Sequence, residues 1–151
     1  MRKNSVLIAI TIAISAYAIP AFAADTVSTT TKLVATATSA NETKTKGLSL
    51  GSATGAFTID TAKGTLCYFL KSTDLQGIVI GSHIHSGVAG IDGGVVIPLK
   101  AFRFNAQGRT CQKVNAALLK DIIAKPSAYY FNVHTRKYPA GAVRSQFEMA
   151  K

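Results

Sequence analysis

The feature that most restricts the fold is a recurrence of short runs in which apolar and polar residues alternate, each closed by turn-forming residues. Gly55-Ala56-Phe57-Thr58-Ile59-Asp60 alternates at period two, so one face is apolar and the other polar, as a half-buried strand requires. Ala62-Lys63-Gly64 supplies a turn, and Thr65 to Leu70 reads as the hairpin partner. The signal returns at Leu33 to Thr38, at Ile78-Val79-Ile80 leading into Ser82 to His85, at Val95 to Leu99, at Tyr129 to Thr135 and at Ala142 to Glu148. Ala101 to Phe104 continues the run before it or begins another. Polar connectors separate these runs: Ser39 to Gly51, the glycine-rich Gly87 to Gly94, and Arg136 to Gly141. One stretch differs. In Asn115 to Ala124, Leu118, Leu119, Ile122 and Ile123 recur at helical spacing, and Lys125-Pro126 ends the run. The pattern predicts an all-β, antiparallel β-sandwich with one short helix over one end. There is no internal repeat.

The start of the chain is of another kind. Arg2 and Lys3 precede a run from Val6 to Ile19 that is apolar except for Thr11 and Ser15, and Pro20 and Ala21-Phe22-Ala23 follow. This is the pattern of a secretory signal peptide over residues 1–23, cleaved after Ala23. Its apolar run is about 14 residues, against about 20 for a bilayer span. Residues 24–32, polar and rich in Ser and Thr, are expected to be a flexible mature N-terminus, and residues 33–151 the domain. The expectation is a chain exported to the periplasm or secreted, with no transmembrane segment after cleavage. Losing Arg2 and Lys3 takes the 17 Lys and Arg residues to 15 against 7 Asp and Glu, a formal charge of +8. The basic residues are scattered and form no run interleaved with aromatics. They suit an anionic surface ligand or a protein partner and not a nucleic-acid groove. Two cysteines, Cys67 and Cys111, in an oxidising compartment read as a disulfide, worth about 4 kcal/mol by loop closure. The alternative is two free thiols, one of them a metal ligand.

The chain has three histidines, His83, His85 and His134. His83 and His85 stand two apart on a predicted strand, so they share a face. His134 lies on the strand expected beside them. Imidazole suits copper and zinc, and Asp92 in the adjacent glycine-rich loop is a candidate fourth ligand. A shared ion needs ring nitrogens within about 4 Å of one another, since imidazole–metal bonds are near 2 Å. The competing reading is structural, with the imidazoles hydrogen-bonded to the loop backbone. That loop, His85 to Gly94, lacks the Lys-Ser/Thr ending and following helix of a phosphate-binding loop. No GxSxG, HExxH or post-strand GxGxxG motif occurs, and no two acids pair. No catalytic residue is therefore assigned.

Two separated stretches carry a family resemblance. The first is Ser82-His83-Ile84-His85-Ser86-Gly87-x-x-Gly90-x-x-Gly93-Gly94-Val95-Val96-x-x-Leu99. The second is Tyr130-Phe131-Asn132-Val133-His134-Thr135-x-x-x-Pro139-x-Gly141-x-x-Arg144-x-Gln146. In this order they resemble the CHRD domain, named after chordin, over residues 33 to 148. Gly94 stands where that family usually has Pro, Ala142 where it has Glu, and Ser145 where it has Gly. The opening Glu-and-Pro segment is weak at Ala40-Asn41-Glu42. The resemblance implies a secreted β-sandwich of immunoglobulin-like or superoxide-dismutase-like build, and no reaction. It marks Gly87, Gly90, Asn132 and Arg144 as structural or ligand-contacting. Arg144 could pair with Asp92 or Glu148, or offer its guanidinium to a ligand carboxylate. The leading expectation is an exported, non-enzymatic binding or interaction module. The alternative is a periplasmic copper- or zinc-binding protein using His83, His85 and His134. A copper oxidoreductase resembling superoxide dismutase comes third, because the histidines are too few for a two-metal site.

Overall fold

The structure is a computed structural model and describes residues 30–100 and 108–151. The expected signal peptide, most of the expected flexible segment, and the Ala101–Phe104 run lie outside them. Among the described residues there are nine strands: β1 (Thr30–Thr38), β2 (Ser52–Asp60), β3 (Thr65–Thr73), β4 (Val79–Ser86), β5 (Val95–Leu99), β6 (Thr110–Lys113), β7 (Tyr129–Thr135), β8 (Val143–Gln146) and β9 (Glu148–Met149). One helix, α1 (Ala116–Ala124), lies between β6 and β7. The fold is all-β and antiparallel with one short helix. No helix among the described residues is long and apolar enough to cross a membrane.

The strands form one hydrogen-bonded sheet in the order β5-β4-β7-β8-β1-β2-β3-β6, with β9 on β1. The expected sandwich arises by curling this sheet on itself. Its two halves are joined in register at the single pair Thr38↔Arg144 between β1 and β8. The inward positions of both halves supply the core: Leu33, Ala35, Phe57, Ile59, Leu66, Leu70, Ile84, Phe131 and Val133 are all buried. Phe57 of β2 meets Phe131 of β7 with ring centroids 5.6 Å apart, and Phe147 at 4.9 Å, both edge-on. Such geometry suits the aromatic quadrupole. The curl also brings the two edge strands together. Gln112 of β6 donates to the Pro98 carbonyl of β5 (3.0 Å), and the Lys100 N–H donates to Tyr68 Oη (3.0 Å).

Several local outcomes differ from the sequence reading. β1 begins at Thr30, not Leu33, because Thr30 to Lys32 complete the ladder with Thr58 to Asp60. Residues 30–32 are therefore strand, not part of a flexible segment. β6 was not expected, since Thr-Cys-Gln-Lys has no alternation. It is held beside β3 by the ladder and by the Cys67–Cys111 disulfide between directly paired residues. The final run is broken at Phe147 into β8 and β9. The helix stands as expected. Asn115 caps it, accepting from the Ala117 and Leu118 N–H groups (2.8 and 3.4 Å), and Leu119 and Ile122 are buried.

Candidate metal centre

The site lies on the face of β4, β7 and β8 that turns away from the core. Alternation on β4 sends Ile84 inward and His83 and His85 outward. On β7, Phe131 and Val133 enter the core, so Tyr130, Asn132 and His134 lie outward. The antiparallel register sets His83 opposite Asn132, His85 opposite Tyr130 and Gly81 opposite His134. It then sets Asn132 opposite Arg144, and Tyr130 opposite Gln146. The Gly87–Gly94 loop and the Ser39–Gly51 connector fold over this face. Even the outward residues of β7 are thereby covered: Tyr130 and Asn132 are buried.

All three histidines of the chain meet here. Ring centroids lie 5.0 Å apart for His83 and His134, 5.5 Å for His83 and His85, and 6.3 Å for His85 and His134. One ring nitrogen of each lies within 4.8 Å of the others. That is wider than the expected approach of about 4 Å, so a shared ion would require each ring to move inward by under about 1 Å. Two rings are already oriented. His85 Nδ1 is 3.0 Å from the Gly93 carbonyl and His134 Nδ1 is 3.0 Å from the Pro139 carbonyl. A carbonyl only accepts, so each Nδ1 carries its proton and each Nε2 keeps its lone pair. Those two Nε2 atoms and His83 Nδ1 are buried with no hydrogen-bond partner in the protein. Loop bracing and a free lone pair are thus compatible: His85 braces the loop through Nδ1 and leaves Nε2 unpartnered. A backbone partner on the second nitrogen is the usual support of a metal-ligating histidine.

Burial pushes His83 down to about 4, with further lowering from His134 and His85. Burial likewise lowers His85 and His134, opposed by their carbonyl hydrogen bonds. All three are neutral at pH 7, the protonation state in which imidazole binds metal.

Arg144 organises the rest. It is 1 % exposed. Its Nη2 donates to the Val88 and Ile91 carbonyls (2.8 and 2.9 Å) and to Gln146 Oε1 (3.3 Å), and its Nη1 donates to Asp92 Oδ1 (3.3 Å). Its guanidinium carbon lies 3.5 Å from the Tyr130 ring centroid, and His85 stacks on the same ring at 4.7 Å and 10°. Tyr130 is therefore layered between the Arg144 guanidinium and the His85 imidazole. Of the alternatives for Arg144, the structure chooses Asp92. Glu148 is exposed on β9 and is not among its partners. The guanidinium is occupied by the loop and is not offered to a ligand.

Asp92 serves that network. It accepts from Thr43 Oγ1 (2.6 Å) and pairs with Arg144 and with Lys44 (3.7 Å). It borders the same cavity of about 130 Å³ as His85 and His134 but does not join the cluster of potential ligands. Gly87 sits where a Cβ would lie 2.8 Å from the Ile91 carbonyl and 3.2 Å from Tyr130, at φ +147°, so only glycine lets the loop close there. Gly90 lines a neighbouring polar cavity of about 400 Å³.

Glu42 was not among the sequence-derived site residues. It is 5 % exposed and accepts from Asn132 Nδ2 (2.6 Å), which also donates to the Val143 carbonyl (3.1 Å). Burial pushes its carboxyl up to about 7 against the lowering effects of Asn132 and Arg144. A Cβ at Gly141 would lie 2.5 Å from Glu42 Oε2, so Gly141 makes room for it. The weak family pattern at Ala40-Asn41-Glu42 was the one available signal. Tyr130 and Gln146 could have been found by counting two residues from Asn132 and Arg144.

With this geometry in view, comparison with known proteins gives one match: the CHRD domain, over residues 33–147. No curated protein matches the chain, and no solved structure does. The matched segment runs from within β1 past the end of β8 and holds every residue of the site, and the chain belongs to the CHRD domain family.

Proposed function

We propose that this CHRD-domain protein is exported and binds one copper or zinc ion through His83, His85 and His134. The observation that carries the reading is the set of three buried, unpartnered ring nitrogens on rings brought together from two strands. A buried polar atom without a partner is costly, and here three such costs fall on ring nitrogens of one cluster, two of them lone pairs fixed by the carbonyls behind His85 and His134. A metal ion satisfies all three at once. The neutral state of the rings and the carbonyls behind His85 and His134 support the same reading. In this role Asp92, Arg144, Tyr130 and the glycine loop hold the ligand face in place. The protein is a binding module, consistent with the absence of a recognisable catalytic motif in its sequence.

The test is metal analysis of the purified, disulfide-bonded protein after equilibrium dialysis against copper or zinc. The expected result is one ion per chain, reduced to background in the His83→Ala/His85→Ala double variant. Retention of stoichiometric metal by a folded double variant would place the ion elsewhere. No uptake by the wild type would remove the reading.

A further inference from the structure

We infer that the ion the cluster is suited to is cuprous copper, held by three neutral imidazoles and no fourth protein ligand. This inference rests on the metal-binding reading above and names its ion. Three observations lead to it.

The donor set is closed at three. The chain has only these three histidines. Among the described residues no carboxylate or thiol joins the group. Asp92 is taken by Thr43, Lys44 and Arg144, and both cysteines are in the disulfide. The unpartnered nitrogens are also shielded from solvent. A three-histidine zinc site fills its fourth position with water, and a cupric ion prefers a tetragonal set of donors. The protein supplies neither a fourth donor nor a fourth in-plane ligand: among the described residues the cluster ends at the three imidazoles. A filled-shell cuprous ion is satisfied by three donors.

The charge around the cluster points the same way. The nearest carboxylate on the cavity, Asp92, is already paired with Arg144 and Lys44, so little negative charge is left to offset a dication. The guanidinium of Arg144 lies across Tyr130 from His85. Desolvation cost grows with the square of the charge, so a divalent ion costs roughly four times what a monovalent ion costs in the same partly desolvated site.

The strand leaves room for the rings to close. Gly81 faces His134 in register, and a Cβ there would lie 3.2 Å from His83 Cε1. Glycine thus keeps clear the space in which the His83 ring adjusts.

The test titrates the disulfide-bonded protein with cuprous ion, anaerobically and against a chromophoric cuprous chelator. A parallel titration uses zinc against a zinc indicator. Both are repeated with His83→Ala and His134→Ala variants checked for fold by circular dichroism. The expected result is one cuprous ion per chain, bound at least about 1,000-fold more tightly than zinc and lost in both variants. One zinc ion bound as tightly or more tightly, and lost in the same variants, would overturn the cuprous assignment and leave the metal-binding reading standing. Binding of neither ion would overturn both. If a variant fails to fold, histidine ring ¹⁵N shifts of the wild type decide. All three rings are expected to shift with one equivalent of cuprous ion, and an unmoved spectrum would sink the inference.

Discussion

Glu42→Gln isolates the cost of the one buried carboxyl on the site face. Glu42 is 5 % exposed and shifted from an ordinary 4.5 up to about 7 in the folded protein. A group whose folded value is raised binds its proton more tightly when folded. The stability it contributes is therefore complete below about pH 4.5 and is lost as pH rises through 7. The full shift corresponds to about 3 kcal/mol at pH 8.5, taken as an upper limit. Glutamine keeps the shape and leaves an oxygen to accept from Asn132, but it cannot ionise. Urea denaturation of both proteins at pH 4.5, 6, 7 and 8.5 reads the difference directly. At pH 4.5 the two should be within about 0.5 kcal/mol, and at pH 8.5 the variant should be more stable by about 2–3 kcal/mol. Because the histidines are common to both proteins, their titration cancels. A difference that does not change with pH, or one that favours wild type at pH 8.5, would refute the buried, proton-holding environment assigned to Glu42.

Other expectations follow from the same contacts. Arg144→Met removes a guanidinium that is 1 % exposed and leaves Asp92 and two loop carbonyls without it. The expected loss is about 3–5 kcal/mol by denaturant titration, and a loss under 1 kcal/mol would mean the loop does not depend on it. Metal-free protein should lose stability as pH falls from 6.5 toward 4. The folded state holds His83 near 4 and the other two below their usual value, so the unfolded chain takes up protons first. His83→Asn should remove up to about 3 kcal/mol of that acid dependence, measured by urea titration across the range. Cys67→Ser/Cys111→Ser should cost about 3–4 kcal/mol and speed amide exchange at Thr110 to Lys113, while exchange in β4 and β7 stays slow.

The strands legible in the sequence were those with one dry and one polar face, because period-two alternation records that asymmetry residue by residue. Phe57 and Ile59 are an example, both about 1 % exposed. The shared face of His83 and His85 is a consequence of the same period. The approach of His134 needed only that β7 lie beside β4. What was not legible was set by contacts distant in the chain. A closed curl rather than two separate sheets turns on the pairing of Thr38 with Arg144. The short β6 has a polar sequence and gains its place from the Cys67–Cys111 link. The burial of Arg144 and Glu42 ran against the usual exposure of charged residues. Arg144 is covered by the Gly87–Gly94 loop and Glu42 is carried on the connector after β1, and a loop laid over a sheet leaves no periodic trace. Asp92 was drawn toward the histidines by proximity in sequence. Its carboxylate is spent instead on Thr43, Lys44 and Arg144.

The central claim is that three imidazole nitrogens from β4 and β7 converge on one ion. X-ray absorption at the metal edge of the loaded protein tests it most directly. A single shell of three nitrogen neighbours near about 2.0 Å, with the outer-shell pattern of imidazole, is the predicted result. A shell dominated by oxygen or sulfur, or one unchanged in a folded His83→Ala/His85→Ala variant, would contradict it.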